Sequence, residues 1–254
     1  MNERTALITG ASMGMGRRLA ERLAGRGTFV VLCANTPELL EEEREKIERA
    51  GGRAIAIPVD IRDADWITEV VQHADEAVGG LDLVVANAGI GTPCDGRQMT
   101  WDKIAPIIQT NVVGTIATIT AALPGMLRRG HGHVLAMSSL AGRRGLPTVS
   151  HYCASKVAIS RFLEGLRIDL AGTGIVVTDV QPGFVDSAGT GRKADYPMPV
   201  VLGLEPAVDY IVKAIDTHAP VMAFPPSLAM AFGAMGWVPR AVFERAAGWA
   251  IRRK

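Results

Sequence analysis

The feature that most constrains this chain is a repeated alternation of short, continuous apolar runs with amphipathic stretches of helical length. Thr5-Ala6-Leu7-Ile8 is the first run, followed by a glycine-rich turn and a helical stretch from about Gly14 to Arg26. Phe29-Val30-Val31-Leu32 is a second strand, and the charged run from Glu38 to Ala50 is a solvent-facing helix stopped by Gly51-Gly52. Ala54 to Val59 and Leu81 to Val85 are the third and fourth strands, with a helix from Asp63 to Val78 between them. A long helix is expected from about Thr100 to Leu127, kinked or started late at Pro106. Then come a strand His133 to Met137, a helix Ser150 to Ala171, a strand Ile175 to Val180, a helix Glu205 to His218 and a short strand Val221 to Phe224. Strands that are apolar along their whole length must be covered on both faces. Alternating with helices, they predict an α/β fold: a doubly wound parallel sheet with right-handed crossovers. No linker rich in Pro, Gly or Ser divides the 254 residues, so one domain is expected.

Composition excludes several function classes. Twenty-seven basic and 26 acidic side chains leave a net charge of +1, which gives no general electrostatic reason to bind nucleic acid. At 48% hydrophobic and 21% charged, the chain is too apolar to be disordered. Cys33, Cys94 and Cys153 are odd in number and scattered, so no disulfide framework is expected, and a reducing, cytoplasmic setting is. No pair has zinc-ligand spacing, and His131 and His133 have no partner ligands, so no metal is expected. The first strand starts within four residues of Met1, leaving no room for a signal peptide.

Chemistry-bearing residues cluster at the carboxyl ends of the expected strands, where open α/β sheets bind ligands. The first strand runs into Thr9-Gly10-Ala11-Ser12-Met13-Gly14-Met15-Gly16. Glycines permit a tight turn and close backbone approach, and the helix that follows favours an anion at its N-terminus. The G-x3-G-x-G spacing differs from the G-x-G-x-x-G dinucleotide fingerprint. Val59-Asp60-Ile61 ends the third strand, where Asp60 either accepts from an adenine amino group or caps the next helix. Asn87-Ala88-Gly89 ends the fourth, with side chains small enough for a ribose to lie on the backbone. Ser139 follows the fifth strand, and 13 residues later comes Tyr152-Cys153-Ala154-Ser155-Lys156. Tyr152 and Lys156 are i and i+4 on a helix and share a face. A nearby ammonium favours the phenolate over the phenol, so the pair suits proton transfer to or from a hydroxyl.

With these residues in place the chain resembles the short-chain dehydrogenase/reductase family over about residues 4–190. The resemblance rests on Thr9 to Gly16, Asp60, Asn87-Ala88-Gly89, Asn111, Ser139, Tyr152, Lys156 and Pro182-Gly183. It implies that Ser139 holds the substrate oxygen, Tyr152 is the acid/base, and Lys156 binds the nicotinamide ribose and depresses the tyrosine pKa. It implies that Asn111 holds a water in a proton relay behind Lys156. Pro182, Gly183 and Val185 would pass near the nicotinamide carboxamide, with Ser187 standing in for the family's usual threonine. The implied reaction is hydride transfer between nicotinamide C4 and a carbon bearing oxygen. A homodimer or homotetramer is implied, paired through the long helix and the helix Ser150 to Ala171.

An acid at the end of the second strand would bind the adenosine ribose and repel a 2′-phosphate. That position is Ala34, followed by Asn35, and Met13 occupies a place that is often basic in NADP users. The missing acid favours NADP over NAD, while Arg17 and Arg18 are read as solvent-facing. A segment at about 187–204, with three glycines and two prolines, is read as a lid over an apolar ketone, alcohol or acyl substrate. Ala219 to Pro239 is uncharged over 21 residues, but Pro225-Pro226 breaks it, so no membrane span is expected in the extension at about 225–254. Beyond Pro239 the stripe Val242, Ala246, Trp249 and Ala250 ends in Arg252-Arg253-Lys254. Such a helix packs on protein or lies on a membrane, and packing on protein is the preferred reading. Two rival functions follow: a membrane-peripheral lipid or steroid dehydrogenase, and a cofactor-binding sensor or scaffold without turnover.

Overall fold

The structure is a computed structural model, and it describes residues 4–186 and 200–252. The elements run β1 (Thr5–Thr9), α1 (Gly14–Ala24), β2 (Phe29–Ala34), α2 (Pro37–Arg49), β3 (Arg53–Pro58), α3 (Ala64–Ala77) and β4 (Leu83–Ala86). Then come α4 (Trp101–Ile108), α5 (Thr115–Arg129), β5 (Gly132–Met137), α6 (Ser150–Asp169), β6 (Ile175–Pro182), β7 (Phe184–Val185) and β8 (Val201–Leu202). The chain closes with α7 (Leu204–Thr217), β9 (Val221–Phe224), α8 (Pro226–Met235) and α9 (Arg240–Arg252). Seven strands form a parallel sheet in the order β3-β2-β1-β4-β5-β6-β9. This is the expected doubly wound α/β sheet. The order reverses between β1 and β4, so their carboxyl-end loops part and leave a crevice there.

Alternation along each strand feeds two cores. Ala6, Ile8, Val30 and Leu32 pack with Leu19, Leu23, Leu40, Val208 and Ile211 on one face. Leu7, Val31, Val84 and Val134 pack with Ile67, Val71, Ile119, Met126 and Ile159 on the other. The three cysteines are free, as expected, with Cys33 and Cys153 buried.

Three boundaries differ from the sequence expectation, two of them for a tertiary reason. β4 starts at Leu83 rather than Leu81, because Asp75 Oδ1 accepts from the Leu81 amide at 2.7 Å and Arg129 donates to its carbonyl at 2.9 Å. β6 extends to Pro182 because β9 pairs with it from Asp179 to Pro182. The long helix does not break at Pro106. It stays helical through Ile108, and Gln109–Gly114 form a π-helical turn before α5. By length and composition the run Trp101–Arg129 passes as a membrane span, yet half of its apolar window is buried inside the fold.

Candidate active site

The turn after β1 requires glycine at Gly10 and at Gly16, and Gly14 between them has φ 58°. Gly10 has φ 66°, and a Cβ there would sit 2.9 Å from Ala88 Cα. A Cβ on Gly16 would fall 2.3 Å from both Asn87 Nδ2 and the Gly10 carbonyl oxygen. The side chain of Asn87 donates to Thr9 O at 2.9 Å and to Gly10 O at 3.2 Å, while Thr9 Oγ1 accepts from the Asn87 and Ala88 amides. The turns after β1 and β4 are thereby locked together. Met13, at the N-cap of α1, offers no side-chain cap, and the first turn of α1 carries no acid. Its unpaired amides are left for an anion.

These turns wall a cleft of about 360 Å³. Of the residues read from the sequence, Gly10, Ser12, Met13, Gly14, Met15, Ala34, Asn35, Asp60, Ile61, Asn87, Ala88 and Gly89 line it. Gly16 lies behind the wall, packed on Asn87. A larger depression of about 490 Å³ opens at the other end of the sheet, among Thr5, Phe29, Arg53, Asp82, Arg129 and His131. It holds none of the predicted site residues and lies at the amino ends of the strands, away from the switch point.

Several cleft details go beyond the sequence reading. Asp60 does not cap α3; Asp63 does, accepting from the Trp66 amide at 3.0 Å. Asp60 instead pairs with Arg62, whose guanidinium holds the carboxyl below its ordinary range. Arg62 lines the cleft and was not singled out; its only sequence signal was the spacing Asp-x-Arg. Thr36 is the N-cap residue of α2 ahead of Pro37, but its hydroxyl makes no cap bond and donates to Ser12 Oγ at 2.8 Å. Arg17 pairs with Glu43 and Glu21, and Arg18 with Glu21 and Glu205, so acids rather than solvent engage both.

The catalytic candidates converge at the end of β5. Lys156 Nζ is buried and donates to Met137 O at 2.8 Å, 5.7 Å from the centroid of the Tyr152 ring. Burial pushes the Lys156 ammonium down to about 8, against the opposing charge of Asp179. Ser139 Oγ accepts from the Ala141 amide at 3.1 Å and donates to Pro182 O at 3.3 Å. A Cβ on Gly89 would lie 3.1 Å from Lys156 Nζ and 3.3 Å from Asn111 Oδ1, and one on Gly91 would lie 2.9 Å from Tyr152 Cδ2. The loop after β4 therefore lies directly on the tyrosine and the lysine. Asn111 sits in the π-helical turn, where its Oδ1 accepts from Ile90 N and its Nδ2 donates to Ile90 O, both at 2.8 Å. The same amide donates to Ser155 Oγ at 3.0 Å. Gly183 donates to Phe224 O at 2.7 Å beyond the Pro182 end of β6, and Val185 is buried in the first core. Ser187 and most of the expected lid lie outside the described residues.

The segment after Ser139 reaches the C-terminal extension. Arg143 Nη1 donates to Ala229 O at 3.0 Å, and Arg144 Nη2 to Val238 O at 3.2 Å. The Arg144 guanidinium stacks 4.5 Å above the Phe243 ring. Leu228 and Phe232 of α8 bury against Leu140. On α9, Phe243 is the residue that meets Arg144, while Val242 and Trp249 of the expected stripe are more than half exposed.

A sequence profile described as short chain dehydrogenase matches residues 4–196. The chain belongs to the short-chain dehydrogenases. It is a nicotinamide-dependent oxidoreductase with a Rossmann-like fold. An uncharacterized oxidoreductase of Myxococcus xanthus is 41% identical over 247 residues, 97% of each chain. A short-chain dehydrogenase from Sphingobium yanoikuyae, solved with NADPH, superposes at TM-score 0.83 with 25% identity over 95% of both chains. One from Mycobacterium paratuberculosis, bound to NAD, gives TM-score 0.78 at 28% identity, covering 87% of this chain and 95% of that one.

Proposed function

We propose that this short-chain dehydrogenase interconverts a carbonyl and an alcohol on an apolar small molecule, with Tyr152 as general acid/base. The observation that carries the reading is the convergence of Tyr152, Lys156 and Ser139 at the end of β5 under the glycines of the β4 loop. The lining suits a dinucleotide: small residues, Gly10, Ser12, Gly14, Ala88 and Gly89, wall the cleft, and the first turn of α1, without an acid or a side-chain cap, sets its amides there for an anion. Bound there, the nicotinamide supplies or accepts the hydride. Ser139 Oγ holds the substrate oxygen, and the Tyr152 hydroxyl gives that oxygen its proton in reduction and takes it back in oxidation. The Lys156 ammonium steadies the phenolate and reaches the nicotinamide ribose. The side-chain oxygen of Asn111 has one lone pair left beside Lys156, enough to hold a relay water. Pro182, Gly183 and Val185 would stand on the nicotinamide side of the site.

NADP is the preferred cofactor in this reading. Ala34 ends β2 without an acid, and Ser12, Asn35 and Thr36 set neutral hydrogen-bonding groups beside the N-terminus of α2. The working unit is one cytoplasmic domain that assembles as a homodimer or homotetramer. Exposed Trp101, Val113, Leu127 and Ile168 on the long helix and α6 supply apolar surface for that pairing. A membrane-peripheral variant of the same function has one observation in its favour, the 91% exposed Trp237 and 73% exposed Met230 on the C-terminal extension. Tyr152→Phe tests the chemistry. Turnover of a carbonyl panel with NADPH should fall by about 10²–10⁴-fold while cofactor titration stays near wild type. Substantial residual turnover would remove Tyr152 from its role, and cofactor binding without any turnover in the wild type would favour a sensor.

A further inference from the structure

Asp179 is a buried carboxylate that the scheme above leaves without a task. It lies on β6 opposite Ala136 of β5, at 3% exposure. Its Oδ1 accepts from the Ser138 hydroxyl, and its Oδ2 accepts from Gln181 Nε2 at 2.7 Å. Both donors are neutral, and among the described residues no cation pairs with it directly. A buried carboxylate in that state is costly unless an opposite charge lies near. Lys156 is in the same position with the sign reversed. Its Nζ is buried, donates to the Met137 carbonyl and forms no ion pair among the described residues. The two meet through three consecutive residues: Lys156 holds Met137, Asp179 holds Ser138, and Ser139 follows.

We propose that Asp179 is a positioning residue of the catalytic site: its carboxylate is the counter-charge of the Lys156 ammonium and, through Ser138, fixes the segment that carries Ser139. The proposal rests on the reading of Tyr152 and Lys156 given above. Among the described residues, the groups around Lys156 leave Asp179 as the one acid whose charge reaches it. β5 offers the Met137 carbonyl, the β4 loop Gly89, the π-helical turn the neutral Asn111, and α6 Tyr152. Asp179 acts on Lys156 through space and favours its charged form, against burial. A second cation stands behind the acid: Gln181 Oε1 accepts from Arg143 Nε at 2.9 Å and Nη2 at 2.7 Å.

The test is the pH profile of kcat in Asp179→Asn, beside Ser138→Ala, which removes a hydrogen bond and keeps the charge. Without the carboxylate the buried ammonium loses the charge that supports it. The limb belonging to the Tyr152/Lys156 pair should therefore move to lower pH by about one unit. In Ser138→Ala it should stay in place, with kcat lowered evenly. A limb that does not move in Asp179→Asn, whatever the loss of rate, overturns the proposal. A second arm needs no activity: urea midpoints of Asp179→Asn, Lys156→Met and the double variant. Each single change strands a buried charge, so the double variant should be more stable than either single one. Additive losses, or failure of all three to fold, count against the pairing. If the wild type shows no turnover at all, the enzymatic reading has failed, and the urea cycle still decides whether Asp179 and Lys156 are partners.

Discussion

Lowering the pH from about 7.5 to about 4.5 should cost the folded chain about 2.5 kcal/mol through one residue, His133. This imidazole is 6% exposed on β5, and its Nε2 lies 2.8 Å from Thr178 Oγ1. The Thr178 hydroxyl hydrogen is already given to Ala219 O at 2.7 Å, so the oxygen accepts and His133 is the Nε2–H tautomer. Burial pushes its pKa down to about 4, helped by the nearby His218 and Arg4. In the unfolded chain the value returns to about 6.5. Between those two values the unfolded state takes up a proton that the folded state refuses. Stability is therefore intact above about pH 6.5 and falls as the pH drops toward 4, at up to about 1.4 kcal/mol per unit. Other groups titrate in the same window. Glu43, raised to about 7 chiefly by burial and next by Glu21, contributes with the opposite sign, gaining as the pH falls. Comparison with His133→Gln, which keeps a donor within reach of Thr178, cancels such terms. Urea unfolding of both proteins across the window should show the wild type losing about 2.5 kcal/mol more than the variant. Parallel pH curves would refute the reasoning and place the acid sensitivity elsewhere.

Ala34→Asp should turn cofactor preference toward NADH, read as the ratio of kcat/KM for the two cofactors; an unmoved ratio would mean that the end of β2 does not face the adenosine ribose. Gly16→Ala should abolish cofactor binding by titration, because its Cβ would fall 2.3 Å from Asn87 Nδ2 and the Gly10 carbonyl; near-normal binding would show that the turn can give way. Light scattering at micromolar concentration should show a dimer or tetramer, and a stable monomer would leave the exposed apolar side chains of the long helix and α6 without a purpose. Truncation after Phe224 should cause aggregation or loss of assembly, since it uncovers Leu140 and removes the partners that Arg143 and Arg144 have in the extension. Salt-sensitive binding to anionic liposomes that vanishes on truncation, with the shortened enzyme still soluble and active, would assign the extension to a membrane.

The sheet was legible because its strands are apolar on both faces, a pattern that a parallel sheet requires and a loop does not sustain. The cleft was legible because its residues follow strands at the same end, so locating the strands located the cleft. What escaped the sequence depends on contacts between distant segments. Nothing local says that Asp75 captures the Leu81 amide and delays β4. Thr36 before a proline has the local pattern of a cap, and only the fold brings Ser12 within reach of its hydroxyl. Asp179 reads as one of three polar residues in an otherwise apolar strand, and its meaning appears only when β5 lies alongside. Periodicity marks a stripe on α9 but cannot say which side of a helix meets protein: Val242 and Trp249 are more than half exposed, and Phe243 beside them meets Arg144.

The π-helical turn at Gln109–Gly114 amounts to a residue more than a regular helix would need over that length. Removing one residue between Ile108 and Thr115 would relieve the irregularity and give a better helix. The turn absorbs that residue's rotation of about 100°, so α4 and α5 would keep their seats while the residues inside the turn changed the direction they face. Asn111 could not then face Ile90 and Ser155 while α5 kept its seat against α3 and the sheet. The length of this chain is thus set against its own local preference. Deletions of a single residue there should be tolerated by folding far better than by the β4 loop, which would lose its one side-chain clamp on Ile90.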